Sequence, residues 1–202
     1  MPVSRHAVVA EPIHEIIASR WSPRAIDPDR PVSRDQITAL LEAARWAPSC
    51  FGDEPWRFLV FDRASAPEDW DRAFACLAEG NQAWVRNAPL LLAAVAGSHF
   101  RHNGKPNRWA QYDTGAASEN LCLQAVALGL VAHQMGGFDG GRLAETFGIP
   151  DEYTPMAMIA IGHPGNPDAL PEPLREKELA PRQRQPLGEI AFAGLWSTPY
   201  NP

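Results

Sequence analysis

The sequence is poor in cysteine, and its three cysteines, Cys50, Cys76 and Cys122, are far apart. They form no C-x-x-C pair, which argues against a disulfide framework and against a structural zinc site. His99 and His102 have the spacing of two ligands on one helical turn, but no third ligand is near them in the sequence, so solvated loop histidines are the favoured interpretation. We therefore expect no metal site and a reducing, cytoplasmic environment.

Long apolar runs and an excess of positive charge are also lacking. No stretch approaches the roughly 18 uninterrupted apolar residues that a membrane-spanning helix requires. The formal net charge of −6 argues against nucleic acid and anionic lipid as partners, because both are bound by clustered lysine and arginine. With 45% hydrophobic and 21% charged residues, the composition is that of one globular domain. A small molecule is the partner that we expect.

Apolar periodicity predicts an α+β domain that covers residues 1–202. The clearest local signal is a capping box at Ser33 and Gln36, followed by an apolar helical face that ends before Pro48. Apolar runs of strand length at 57–61, 89–95, 129–135 and 156–161 alternate with helical patterns. We expect one mixed central sheet of four to five strands, sandwiched by about five helices.

Prolines are concentrated towards the C-terminus, and many of the twenty lie between Pro164 and Pro186. Because proline disfavours the interiors of helices and strands, residues 164–202 are expected to form an extended C-terminal arm. Residues 1–10 are expected to form an N-terminal tail. Composition leaves two roles open for the arm, since it is typical both of a segment that wraps a partner subunit and of a plain surface tail.

Two sets of alternating arginines are candidate phosphate ligands. Arg20, Ser22 and Arg24 follow a predicted helix, and in an extended segment alternate side chains point the same way and can converge on one anion. Arg182 and Arg184 repeat the alternation near the C-terminus. In a net acidic protein such pairs suggest phosphate sites, although each set by itself is also typical of a solvated charged loop.

The loop from Ala47 to Trp56 is a candidate site for a planar ligand. Its short residues, Ser49 and Gly52, would let such a ligand approach the backbone closely. An ordinary loop with Trp56 packed on the core is the alternative that composition leaves open. Cys50 in this loop is either a reactive thiol or a small buried hydrophobic residue.

Five short motifs follow one another along the chain. They are R-x-S-x-R from Arg20, A-P-S with P-W-R-F from Ala47, G-G-F-D from Gly136, I-P-x-x-Y from Ile149 and I-G-x-P from Ile161. In this order they resemble the FMN-dependent nitroreductase family over about residues 11–192. The resemblance implies a nitroreductase-like fold and an oxidoreductase that passes electrons from NADH or NADPH to a small oxidised acceptor, such as a nitro compound or quinone. It also implies a ping-pong hydride mechanism.

The resemblance assigns the FMN phosphate and ribityl chain to one set of residues. In the family these positions form a clamp around the phosphate. The residues of this chain that match them are Arg20, Ser22, Arg24, Arg182 and Arg184.

The resemblance implies that the flavin ring is lined from two sides. A loop from the other subunit of a homodimer contributes the positions that match Pro48, Ser49 and Cys50, followed by Gly52 and Glu54. Asn81 matches an asparagine that bonds the ring system. Gly136 and Gly137 match the backbone that faces the reactive flavin nitrogen. Because the flavin carries the chemistry, no catalytic side chain is expected.

Two positions depart from the family, since Gly52 and Glu54 stand where an asparagine and a glutamine are usual. A carboxylate accepts but does not donate unless protonated. If Glu54 faces the pyrimidine edge of the flavin, it therefore disfavours an anionic reduced flavin through like-charge repulsion. Two other functions remain open. One is a flavin-dependent dehydrogenase or reductive enzyme for one specific metabolite, and the other is a non-catalytic FMN-binding sensor.

Overall fold

A computed structural model describes residues 5–200, and its centre is a four-stranded sheet. The strands are β1 (Trp56–Asp62), β2 (Leu90–Gly97), β3 (Val131–Met135) and β4 (Tyr153–Gly162), arranged in the order β1-β2-β4-β3. The expected α+β fold is confirmed. The expectation of a mixed sheet was wrong for the described residues, because all neighbouring strands there are antiparallel. Strand direction depends on the end of the sheet at which each helix returns the chain, and apolar periodicity does not contain that information.

Eight α-helices surround the sheet in the described part of the chain. They are α1 (Glu15–Ser19), α2 (Arg34–Arg45), α3 (Pro67–Phe74), α4 (Glu79–Val85), α5 (Ala110–Ala127), α6 (Gly140–Phe147), α7 (Glu172–Leu179) and α8 (Leu187–Ile190). The predicted capping box begins α2, where the Ser33 hydroxyl accepts from the Gln36 N–H at 3.2 Å and the Gln36 side chain accepts from the Ser33 N–H at 2.9 Å. No helix within residues 5–200 has the length and apolarity needed to cross a membrane.

The C-terminal arm differs from the extended segment that the prolines predicted. It contains α7 and α8, and a short 3-10 turn at Pro167–Ala169. Pro171 and Pro186 stand immediately before the two helices. Proline disfavours a helix interior, but its fixed φ suits the start of a helix, where a free N–H is not needed. The prolines of the arm therefore begin helices and do not exclude them.

Each face of the sheet has its own hydrophobic core. Leu91 on β2 contributes to a cluster with Trp70 and Trp84 from the helices of one face. Leu92, the next residue, contributes to the cluster on the opposite face, together with Leu40 of α2 and residues of α5. Burial of one such side chain contributes about 1.5–3 kcal/mol to folding. Because both faces are covered, the edges of the sheet and their loops are the places left for a ligand.

The chain that leaves β4 supports the segment that carries the first arginine motif. Ile26 forms an isolated antiparallel bridge with Pro164, which follows β4. The Gly165 N–H donates to the Ala25 carbonyl at 2.9 Å, and the Asp27 N–H donates to the carbonyl of His163 at 3.0 Å. The segment is thereby fixed along the chain that leaves the last strand.

Two side chains fix the same segment from other directions. The ring of His133 of β3 packs at a tilt against Trp84, with 4.6 Å between the ring centroids, and its Nδ1 donates to the Pro23 carbonyl at 3.0 Å. Glu178 of α7 is only 1% exposed, and its carboxylate accepts from the N–H groups of Arg24 and Ala25 at 3.0 to 3.1 Å. The edge strand and the C-terminal arm therefore hold one short stretch of main chain between them.

We expect Gly165→Ala to disrupt this arrangement. A Cβ at Gly165 would lie 2.6 Å from the carbonyl carbon of Ile26 and 2.8 Å from the Asp27 nitrogen, and backbone atoms cannot move aside. The free energy of unfolding should fall by about 2 kcal/mol, as in other overpacked positions. Urea denaturation measures the change. Gly115→Ala is the matched control, because open space surrounds that helical position, so a loss of similar size in both variants would contradict the prediction.

We also expect stability to depend on the protonation of His133. Burial lowers its pKa to about 4, and the positive field of Arg24 adds to this effect. Because the unfolded pKa is about 6.5, stability is complete above that pH and is lost as the pH falls towards 4. Between pH 7 and pH 5, the wild type should lose about 2 kcal/mol more than His133→Asn, which keeps a donor but does not titrate.

His99→Asn is the control for this experiment, because His99 is an exposed loop histidine. Its denaturation curves should follow those of the wild type at each pH. Equal losses in the wild type and His133→Asn would show that another group produces the pH dependence.

Candidate functional site

Four arginines gather where the segment after α1 meets the C-terminal arm. Burial lowers the pKa of Arg182, and the positive fields of Arg184, Arg20 and Arg5 lower it further. Two carboxylates lie among these charges: Glu119 Oε1 is 3.2 Å from Arg20 Nε, and the buried Glu178 accepts from the main chain of Arg24 and Ala25. Positive charge is therefore in excess at this place although the chain is acidic as a whole. Such an excess favours the binding of an anion.

Arg182 has a structural contact that the sequence did not reveal. Its guanidinium donates to the carbonyls of Arg5, Ala18 and Arg20 at 2.6, 2.8 and 2.9 Å. These acceptors include the carbonyls at the C-terminal end of α1, where cations are favoured. Arg182 therefore ties the arm to the backbone of Arg20. Arg184 is exposed, and its guanidinium donates to the carbonyl of Gln183 at 2.8 Å.

Ser22 and Arg24 lie beside the edge strand β3. The backbone of Ser22 and the charge of Arg24 both act on the pKa of His133, after the larger effect of burial. The main-chain nitrogen of Arg24 is held by Glu178. All five residues of the predicted phosphate clamp thus belong to one region, formed by the segment after α1 and the arm that crosses it.

Asn81 and the glycine pair form a second group at the end of β3. The Asn81 Nδ2 donates to the Gly137 carbonyl at 2.9 Å, and the Ala78 N–H donates to the same oxygen at 2.9 Å. A Cβ at Gly137 would lie 2.8 Å from the Asn81 Nδ2, whereas the space around Gly136 is open. This place offers bare backbone that a flat group can approach closely.

The strand β3 connects the two groups. His133 contacts the segment after α1 that carries Arg20, Ser22 and Arg24, which we call the arginine segment. Gly136 lies three residues after His133. At about 3.3 Å per residue, this spacing corresponds to roughly 10 Å along the strand. The edge thus presents positive charge at one end and open backbone at the other, which suits an elongated ligand with a phosphate and a flat ring.

The third predicted group lies elsewhere. Pro48, Ser49, Cys50, Gly52 and Glu54 precede β1, which forms the opposite edge of the sheet. Since β2 and β4 separate β1 from β3, the two edges are about 14 Å apart at the usual strand spacing. Within one chain, the structure therefore brings together two of the three predicted groups and leaves the loop apart from them.

The loop has a defined conformation of its own. The Ser49 hydroxyl accepts from the Glu54 N–H at 3.0 Å, and the Cys50 N–H donates to Asp113 Oδ2 at 3.0 Å. Phe51, Gly52 and Glu54 all have positive φ, at 56°, 63° and 50°. A left-handed residue other than glycine costs on the order of 1 kcal/mol, so the surrounding contacts must hold the loop in place.

The charge of Glu54 acts on a neighbouring arginine. The pKa of Arg45 is raised first by its hydrogen bond and ion pair with Glu42, and the field of Glu54 adds to this effect. The expected contact between Glu54 and a flavin edge stays a prediction.

Sequence reasoning missed Asp53, which is 4% exposed. Its carboxylate accepts from the Arg101 N–H at 2.8 Å and from the Asn107 amide at 3.4 Å. It also missed the segment that Asp53 holds, residues 98–107, which we call the basic hairpin. The available signal was a run with Arg101 and Lys105 but no aspartate or glutamate.

Known proteins resemble this chain in sequence and in fold. A sequence model of the nitroreductase family matches residues 17–163. An uncharacterized 15.4 kDa protein of Mycolicibacterium smegmatis is 38% identical over 150 residues, which cover 71% of this chain and 99% of that protein. A Bacillus subtilis protein named "Putative NAD(P)H nitroreductase YdgI" is 31% identical over 184 residues, which cover 73% of this chain and 86% of that protein.

A solved structure extends the similarity to nearly the whole chain. It is described as "the oxidoreductase containing FMN", and its sequence is 38% identical to this one. The two folds superpose with a TM-score of 0.90, over 98% of this chain and 100% of that one. Together with the match over residues 17–163, this similarity confirms the family that the motifs suggested: the chain belongs to the nitroreductase family.

Proposed function

We propose that this chain binds FMN and passes electrons from NADH or NADPH to a small oxidised acceptor. The observation that supports this most directly is the arrangement along β3, where excess positive charge and open backbone lie at the two ends of one edge. The solved relative that contains FMN and the Bacillus protein named for NAD(P)H are consistent with the proposal.

The residues at this edge fit FMN by their chemistry. Arg20, Ser22 and Arg24 would hold the phosphate, with Arg184 adjoining them. Arg182 supports this region through the carbonyl of Arg20, to which it donates at 2.9 Å. When bound, FMN supplies the acceptance and donation of hydride, so the protein needs neither a nucleophile nor a metal.

Asn81 and the glycine pair would receive the flavin ring. The Asn81 Nδ2 is already used by the Gly137 carbonyl. In the part of the chain that the structure describes, no hydrogen bond involves the Asn81 Oδ1, which leaves this oxygen to accept from a ring N–H. At Gly136, the absence of a side chain leaves room for a donor or acceptor above the ring. We propose that donor and acceptor occupy this room in turn, as a ping-pong scheme requires.

We further propose that the working unit is a homodimer. The loop at 48–54 lies at the opposite sheet edge from the other predicted site residues, so a second subunit would have to supply it. Large exposed aromatic side chains occur near this loop, with Trp46, Phe51 and Tyr112 at 75%, 82% and 78% exposure. Exposed apolar surface of this kind is typical of an interaction site. The proposed site therefore combines the β3 edge of one subunit with the loop of the other.

We expect purified protein supplied with FMN to show flavin absorbance that NADH or NADPH bleaches under anaerobic conditions. Arg20→Gln should weaken FMN binding about tenfold, since one charge-assisted contact to the phosphate is lost. Fluorescence titration of FMN measures this change. Arg34→Gln is the control, because Arg34 is exposed at the start of α2 and lies outside the proposed site.

Three results would contradict parts of this proposal. No affinity for FMN would remove the cofactor assignment. Bound flavin that neither nicotinamide donor reduces would favour a sensor or an enzyme reduced by one specific metabolite. Intersecting double-reciprocal plots, in place of parallel ones, would exclude the ping-pong scheme.

The two-subunit site predicts complementation between inactive variants. Gly137→Val alters the β3 edge, because its Cβ would lie 2.8 Å from the Asn81 Nδ2, and Gly52→Val alters the loop at a position with φ of 63°. In a mixed dimer, one site carries both changes and the other carries neither. Mixing the two variants after reversible dissociation should therefore restore about a quarter of wild-type activity. Light scattering should give a dimeric mass, and a monomeric mass or no restored activity would contradict the shared site.

A further inference from the structure

The basic hairpin, residues 98–107, carries positive charge that the proposed FMN site does not use. Arg101 and Lys105 are exposed on it, and Arg108 follows directly. No aspartate or glutamate occurs between residues 80 and 112, and Lys105 is one of only two lysines in a chain whose net charge is −6. This local positive charge therefore stands out from the composition of the chain.

The hairpin is fixed to the loop that the proposed function assigns to the flavin. Asp53 of that loop accepts from the Arg101 N–H at 2.8 Å and from the Asn107 amide at 3.4 Å. Within the hairpin, the Phe100 N–H donates to the Lys105 carbonyl at 2.8 Å. The Arg101 guanidinium donates to the Gly52 carbonyl at 3.5 Å, a long contact that a ligand anion could replace. The Asp53 carboxylate is buried and engaged with the Arg101 N–H and the Asn107 amide, so it fixes the main chain that carries Arg101.

Three rings form a cluster beside this charge. The ring centroids of Phe51, Phe100 and His102 are 5.2 to 5.8 Å apart. Phe51 is 82% exposed although it stands in a left-handed backbone conformation, with φ of 56°. A cavity of about 480 Å³ opens here, and its walls include Phe51, Asp53, Arg101 and His102. The cavity thus combines flat apolar surface with an exposed guanidinium group, while the Asp53 carboxylate, 3.9 Å from His102 Nδ1, is almost fully buried in its wall.

We propose that this cavity is a substrate subsite that receives a planar aromatic group bearing an anion. The rings of Phe51 and His102 contact the planar group, and Arg101 pairs with a carboxylate or phosphate on it, with Lys105 adding to the field. The inference rests on the proposed function, which places the loop beside the flavin. Two sources have this chemistry: an aromatic carboxylate acceptor, and the adenosine 2′-phosphate of NADPH.

The test compares, in the FMN-loaded protein, pairs of substrates that differ by one anionic group. The acceptors are 4-nitrobenzoate and 4-nitrobenzamide, and the donors are NADPH and NADH. Arg101→Gln should raise KM about tenfold for 4-nitrobenzoate or for NADPH, the effect of losing one charge-assisted contact. The value of kcat, and KM for the matched substrate that lacks the carboxylate or the 2′-phosphate, should stay within about twofold. Arg101→Lys should recover part of the loss, and added salt should reduce the difference.

Arg34→Gln serves as the matched control, because Arg34 is an exposed arginine at the far end of α2 from the loop. A selective rise in KM for 4-nitrobenzoate would identify the acceptor as the anionic ligand. A selective rise for NADPH would identify the donor. Two ratios of KM values are compared: 4-nitrobenzoate to 4-nitrobenzamide, and NADPH to NADH. If both ratios are the same in Arg101→Gln, Arg34→Gln and the wild type, the subsite is refuted.

The design separates this inference from the proposed function. A wild-type protein that reduces neither acceptor with either donor contradicts the proposed function itself. A wild-type protein that turns over, combined with unchanged ratios in Arg101→Gln, contradicts only the subsite. Equilibrium binding of 4-nitrobenzoate and of NADP+, each followed by calorimetry, gives a readout that does not depend on turnover. Arg101→Gln should weaken the binding of one of the two ligands, and heats for both ligands that equal those of the wild type would also overturn the inference.

Discussion

The arrangement of the proposed site depends on the fixation of one short stretch of main chain, residues 22–27, against the edge of the sheet. The buried carboxylate of Glu178 accepts from the N–H groups of Arg24 and Ala25, and His133 donates to the Pro23 carbonyl. A buried carboxylate that lost these donors would bear the full cost of desolvation. The contact therefore favours one alignment of the segment, with the N–H groups of Arg24 and Ala25 at Glu178. It joins the C-terminal arm, the arginine segment and β3 into one unit.

The position of the loop at 48–54 has a different physical origin. The loop enters β1, and two central strands separate β1 from β3. Both faces of those strands are covered by helices and filled with apolar side chains, so no local movement can carry the loop across the sheet. A site that needs the loop and the β3 edge must therefore be completed from outside the chain. The exposed aromatic residues near the loop give a reason for a second copy to bind there.

The basic hairpin concentrates positive charge at one place in a protein whose net charge is negative. Asp53 is the acidic residue that fixes the hairpin to the loop, and its buried carboxylate is engaged with main-chain and amide donors. Arg101 and Lys105 are exposed, and the Arg101 guanidinium makes only a long contact, 3.5 Å, with the Gly52 carbonyl. In the proposed dimer, the FMN phosphate and the substrate anion would be bound by separate arginines, from the β3 edge of one subunit and the basic hairpin of the other.

The sequence by itself determined the local structure and the family. The capping box at Ser33 and the apolar runs gave the start of α2 and the four strands within a few residues, because such signals act over one or two turns. Ordered motifs identified the residues of the proposed site. Only the tertiary structure decided that the strands are antiparallel, that α7 folds back to bury Glu178, and that Asp53 holds the basic hairpin. These features depend on contacts between residues that are far apart in sequence, and periodicity and spacing carry no information about which distant residues meet.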